Sequence, residues 1–180
     1  GVYDGHFFPA EYEAGEVFPQ EMAKPRIAEI VEQELGRGKS YEEAFKIAFE
    51  TVNHEIRAAG TGGTTASVVL LEGNEGWIAN VGDSHVYKFS VSGQPEQLNT
   101  DHNVASNIAA RREAIGRGGV YAKGYIHQPH GTGLKLSRTL GDSGLGEVVS
   151  ADPAIQKFEI TDDDEFLVIA SDGLWEDVTP

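Results

Sequence analysis

The sequence predicts an α+β fold, with layered antiparallel sheets covered by helices. Three observations predict it. A strongly amphipathic helical stretch opens at Ser40-Tyr41-Glu42-Glu43, a capping box, and carries Phe45, Ala48, Phe49, Val52 and Ile56 as one apolar stripe. Three short β-type runs follow it, separated by turn residues. The order is then helices, strands, a helix and strands again, with no regular strand–helix alternation that would give a parallel sheet.

Along the chain, residues 1–4 are apolar and β-prone and are broken by Gly5. Residues 25–35 space Ile27, Ile30, Val31 and Leu35 at helical intervals, and Gly36 and Gly38 stop the run. The capped helix ends at Gly60. Ser67–Leu71, Trp77–Val81 and Val86–Val91 read as strands, with turns at Asn74-Glu75-Gly76 and Ser92-Gly93, so an antiparallel meander is expected. Residues 104–116 read as a helix with Ile108, Ala109 and Ile115 inward. Residues 118–133, rich in glycine and histidine, read as an exposed loop or flap. Ile155–Ile160 and Phe166–Ala170 are further strands, and Trp175 is expected to begin another helix.

The 180 residues fit one domain with a core, and the whole span 1–180 reads as a single, incomplete domain. The chain opens at Gly1 in what reads as mid-strand and stops at Pro180 just after an apolar strand, so both ends are expected to be cuts. It contains no cysteine, which excludes disulfides and thiolate metal sites and points to an intracellular, cytoplasmic setting. The net charge of −15 excludes a phosphate-backbone binder, so no nucleic acid is expected. No run approaches the roughly 20 apolar residues that span a bilayer, so no membrane partner is expected either. The acidic surplus has two readings, plain solubility or carboxylates gathered around divalent cations.

Two spots share one local grammar, Tyr3-Asp4-Gly5-His6 and Ile169-Ala170-Ser171-Asp172-Gly173. In each, an apolar strand ends in Asp-Gly. A strand end can fix a carboxylate, and a glycine lets the backbone turn and brings its carbonyl close to an ion. Hard cations take such oxygen ligands. The bland alternative is an ordinary turn. Asn80-Val81-Gly82-Asp83-Ser84 is a third such spot, here strand, Gly, Asp, and its bland reading is an Asx turn joining two hairpin strands. Glu176 lies four residues after Asp172, on the same face if that stretch is helical. His6, two residues past Asp4, has the chemistry of a proton donor beside such ions. Gly60-Thr61-Gly62-Gly63-Thr64-Thr65 lacks the Gly-Lys-Ser/Thr ending of a P-loop and precedes a strand, so close sheet packing is its expected role. His127 and His130 have no evident third ligand, so zinc is not expected there.

These pieces, taken in order, resemble the type 2C metal-dependent protein phosphatases. The resemblance is carried by Val2-Tyr3-Asp4-Gly5-His6, Gly62-Gly63-Thr64-Thr65-Ala66, Ala79-Asn80-Val81-Gly82-Asp83-Ser84 and Asp101-His102. It continues through Gly118-Gly119, Leu136-Ser137-Arg138-Thr139-Leu140-Gly141-Asp142, Ala151-Asp152-Pro153 and Asp164 to Trp175. It implies a four-layer α-β-β-α sandwich of two antiparallel sheets flanked by helices. It implies hydrolysis of phosphoserine and phosphothreonine in proteins by a water activated between two Mg2+ or Mn2+ ions, with a third ion held more weakly. By that resemblance Asp4 bridges two ions, the Gly5 carbonyl binds one and Asp172 the other. Asp83, Asp172 and Glu176 surround the third, and His6 is the general acid. Phosphorylated proteins are the expected partners, and the chain is expected to act as a monomer.

Three positions depart from the family pattern. Phe7-Phe8 stand where glycines are usual, His85 where an Arg is usual, and Glu176 where an Asp is usual. The remaining acidic ligands and the phosphate-binding Arg of the family fall outside residues 1–180, so this stretch alone is expected to hold part of the first coordination shell and to be nearly inactive. A non-catalytic relative that kept the scaffold is the second function class, favoured by Phe7, Phe8 and Glu176. An unrelated metal phosphoesterase is the third.

Overall fold

A computed structural model describes residues 1–6, 17–60, 62–91, 93–128, 131, 133–178 and 180. Phe7, Phe8 and His130 lie outside the described residues.

The N-terminal helices form the outer layer. Helix α1 (Pro19–Gly36) begins six residues before the expected start, with a proline in its first turn and Pro25 tolerated inside. Helix α2 (Tyr41–Ala59) carries both halves of the expected capping box, and Gly60 closes it in the left-handed conformation at φ 74°. The two helices bury Ile27, Ile30, Val31, Phe45, Phe49, Val52 and Ile56 against one face of a sheet. That sheet has the order β11 (Ala154–Glu159), β4 (Glu75–Val81), β3 (Ala66–Glu72), all antiparallel.

Pleating sends alternate residues of this sheet to opposite sides. Trp77, Ala79, Val81, Val68 and Leu70 meet the helices, whereas Ile78 and Val69 turn the other way. There they pack with Val86, Leu167 and Ile169 of a second antiparallel sheet, ordered β12 (Asp164–Ala170), β5 (His85–Ser90), β6 (Glu96–Gln97). The result is a sheet sandwich flanked by helices. The outer face of the second sheet carries a row of rings, with Phe89 stacked on Phe166 at 4.9 Å and Trp175 tilted against Tyr87 at 4.9 Å.

A smaller antiparallel sheet, β1 (Gly5–His6), β2 (Gly63–Thr64), β10 (Leu140–Gly141), gathers three distant segments in the register His6↔Gly63↔Gly141. Helix α3 (Ile108–Gly116) packs beside a fourth sheet, β7 (Val120–Ala122), β8 (Tyr125–His127), β9 (Gly133–Leu134). The expected loop at 118–133 therefore contains strands, and Ile126 is buried within a second core with Leu134, Leu136 and Val148.

Four local expectations are corrected. The turn at Gly82-Asp83-Ser84 joins no hairpin, because β4 and β5 belong to different sheets and the chain crosses between layers there. Asn107 caps α3, and the phase this sets buries Ala110 and Ala114 while Ile108 and Ile115 face outward and Ala109 is exposed. Glu75 and Gly76 belong to β4, leaving Gly73, at φ 60°, and Asn74 as the turn. Trp175 ends rather than begins a helical turn, α4 (Asp172–Trp175), because the turn starts at the acid after Ser171.

Candidate metal and phosphate site

The crossing between layers sets the site. Asp4 precedes β1, Asp83 sits where the chain passes from the first sheet to the second, and Asp172 begins α4 at the end of β12. Thr65 ties two of these segments together. Its amide donates to the Asp4 carbonyl at 2.9 Å, and its Oγ1 accepts from the Asp4 amide at 3.0 Å. The same Oγ1 meets Ser84 Oγ at 2.8 Å. Gly82 is at φ 99°, and a side chain there would run into Thr65, so only glycine lets the turn press against that threonine.

The three carboxylates converge. Burial pushes the Asp4 carboxyl above the usual carboxylate range, and the charge of Asp172, a hydrogen bond with it and the charge of Asp83 add to that. Burial likewise raises Asp83, with Asp172 and Asp101 contributing, although Asn103 Nδ2 donates to Asp83 Oδ2 at 3.0 Å. Asp101 behaves oppositely. Burial alone would raise it, but the neighbouring His85 ring, with Nε2 3.9 Å from Oδ1, and hydrogen bonds from Ser106 Oγ and the Asn103 amide outweigh this and hold it low.

Asp4, His6, Thr65, Asp83, Lys135 and Asp172 line a cavity of about 430 Å3. Asp83, Lys135 and Asp172 also line an adjoining cavity of about 270 Å3, together with His85, Asp101, Asn103 and Glu176. The structure thus brings Asp4, His6, Asp83 and Asp172 into one cleft and places Glu176 in its side lobe. Gly5 stands between Asp4 and His6, paired with Thr64 in β1. Among the described residues no group of three or more acidic or histidine side chains could hold a metal ion by itself. The donor chemistry nonetheless fits a hard divalent cation: all-oxygen carboxylates, crowded enough to raise Asp4 and Asp83, with a cation as the natural counter-charge.

Four residues escape a reading by motif chemistry alone. Lys135 is the one lysine or arginine lining either cavity among the described residues. Asp101 and Asn103 form a brace beside Asp83. Asp142 is hydrogen-bonded to His6 at 2.8 Å. A signal for it exists, since Leu140-Gly141-Asp142 repeats the apolar–Gly–Asp pattern of Val81-Gly82-Asp83.

His102 supports the crossing from behind. Its ring is buried, and Nδ1 lies 3.2 Å from the Gly82 amide nitrogen. Burial, and then the charge of Arg138, lowers its pKa to about 4. The folded state therefore keeps this imidazole neutral, whereas the unfolded chain takes up a proton near pH 6.5. The stability it contributes is complete above pH 6.5 and is lost as pH falls toward 4, by about 1.4 kcal/mol per unit. The raised carboxyls of Asp4 and Asp83 act in the opposite sense, because they bind protons more readily folded than unfolded. The difference between wild type and His102→Gln isolates the histidine. Urea-unfolding midpoints should fall less steeply for the variant between pH 6.5 and 4; parallel curves would contradict this.

The family model described as Protein phosphatase 2C matches residues 1–180. "Probable protein phosphatase 2C 52" of Oryza sativa subsp. japonica is 35% identical over 182 residues, covering 100% of this chain and 35% of that protein. "Probable protein phosphatase 2C 76" of Arabidopsis thaliana is 34% identical over 182 residues, covering 100% of this chain and 41% of that protein. The chain thus spans well under half the length of these two relatives. The crystal structure of serine-threonine phosphatase 2C from Toxoplasma gondii superposes with a TM-score of 0.72 at 16% identity, over 89% of this chain and 64% of that one, which supports the fold.

Proposed function

The chain belongs to the protein phosphatase 2C family, and from that premise we propose that it forms part of a magnesium- or manganese-dependent phosphatase acting on phosphoserine and phosphothreonine in proteins. The observation that carries this reading is the meeting of Asp4, Asp83 and Asp172, delivered from separate segments, with His6 in one cleft.

Asp4, the Gly5 carbonyl and Asp172 would hold the principal pair of ions, and Asp83, Asp172 and Glu176 a third. When bound, such ions neutralise phosphoryl charge and activate water for attack. The protein's own groups do the rest. The carboxylates repel a phosphate dianion until their charge is balanced, which couples substrate entry to cation loading. Lys135 offers an ammonium at the join of the two lobes, suited to a phosphate oxygen. His6 gives a proton to the departing serine or threonine oxygen, which is a poor leaving group as an alkoxide. A cysteine-free chain suits a reducing, intracellular compartment. No helix among the described residues is long and apolar enough to cross a membrane.

The test is phosphate release from a phosphothreonine peptide by the intact protein. Turnover should require added Mn2+ or Mg2+ and stop with EDTA. Turnover indifferent to chelation, or none with either ion, would sink the reading.

A further inference from the structure

We infer that Asp142 is a positioning residue for His6, an inference that rests on the general-acid reading of that histidine. His6 Nε2 donates to Asp142 Oδ2 at 2.8 Å, across 136 residues of sequence. The histidine side chain is 22% exposed and borders the cleft, whereas the Asp142 side chain is 4% exposed and stands behind it. A carboxylate so enclosed is expensive unless its oxygens are engaged. Its Oδ2 is engaged twice, since Thr139 Oγ1 also donates to it at 2.5 Å.

The surroundings hold this acid in place. Its amide donates to the Gly62 carbonyl at 2.9 Å. Its backbone is left-handed, at φ 46°, which a non-glycine residue keeps only when its neighbours impose it. Helix α2 clamps the preceding residue, with Asn53 Oδ1 accepting from the Gly141 amide at 2.9 Å and Arg57 Nε donating to its carbonyl at 3.0 Å. Gly63, facing both His6 and Gly141 in the small sheet, clears the path. A Cβ on it would overlap the Asp142 carboxylate.

Anchoring Nε2 fixes the ring's orientation, so the proton for the leaving group comes from Nδ1 of the protonated ring. As the water oxygen bonds to phosphorus, the bond from phosphorus to the serine or threonine oxygen breaks. That oxygen keeps the electron pair and takes the Nδ1 proton. A histidine free to rotate would be misplaced for this transfer while leaving the cation ligands untouched.

The experiment compares two substrates in the intact protein at saturating Mn2+. One is a phosphothreonine peptide, whose leaving group needs the proton. The other is p-nitrophenyl phosphate, whose leaving group does not. Asp142→Asn should lower kcat on the peptide by about 10- to 100-fold, as loss of an orienting partner typically does, at near-constant KM. It should change kcat on p-nitrophenyl phosphate by less than about 3-fold, which also reports a folded, cation-loaded protein. Gly63→Ala should reproduce the pattern by displacing the carboxylate, and it decides the matter if Asp142→Asn does not fold. The double variant His6→Ala, Asp142→Asn should be no worse on the peptide than His6→Ala alone. Equal losses on both substrates, or losses that multiply in the double variant, would overturn the inference. If His6→Ala shows the selective loss and Asp142→Asn does not, the inference alone falls. If His6→Ala shows none, the general-acid reading falls and takes the inference with it.

Discussion

Replacing Asp4 or Asp172 by alanine in the intact protein is expected to lower Mn2+-dependent hydrolysis of a phosphothreonine peptide by about a thousandfold or more. Phosphoryl transfer depends almost wholly on positioning and on neutralising charge, so under the proposed function, in which these carboxylates hold the ions, either change removes the main term. Burial raises Asp4, and the charges of Asp172 and Asp83 beside it add to that. Without a cation that crowding costs stability. In EDTA, both variants should therefore melt no lower than wild type, which separates lost chemistry from lost fold. Normal turnover in both variants would show that these carboxylates do not hold the ions.

Gly141→Ala is expected to destabilise the protein by about 3 kcal/mol, lowering the melting temperature by about 10 °C. Gly141 is at φ 90°, where a side chain is strained whatever the space. There is also no space: a Cβ would press on the Gly62 carbonyl, the Ile56 side chain and the Gly63 Cα. Backbone cannot swing aside as a flexible side chain can. Gly36→Ala is the contrasting change. It sits at the end of α1 with nothing near its Cβ position and an ordinary φ, so differential scanning calorimetry should find it neutral or slightly stabilising. Similar losses in both variants would show that the clamp around β10 is not what holds this corner.

Much of the architecture was legible because its signals are local. Ser40 and Glu43 lie within one helical turn, and the stripe from Phe45 to Ile56 follows the helical period, so α2 declares itself. The β3 and β4 runs are equally plain, joined by a turn of two residues. Misreadings arose where the partner of a residue was remote. Ile108 and Ile115 look like core, yet the Asn107 cap rotates α3 so that Ala110 and Ala114 are buried instead, Ala114 within the Ile126 core. Asp83 looks like a hairpin turn, because nothing near it announces that β4 pairs with β11 while β5 pairs with β12.

The candidate site divides along the same line. Apolar residues followed by Asp and Gly were enough to single out Asp4, Asp83 and Asp172, since strand endings and turn chemistry are written in neighbouring residues. That the three share one cleft required two sheets to stack and a chain to cross between them, which is decided by burial of Ile78, Val86 and Ile169 rather than by any residue of the site. Asp142 lies 136 residues from His6, and the contact exists only because β2 pairs with both β1 and β10. Side-chain chemistry names candidates one at a time, whereas distance and desolvation, which turn carboxylates into a site, belong to the packed molecule.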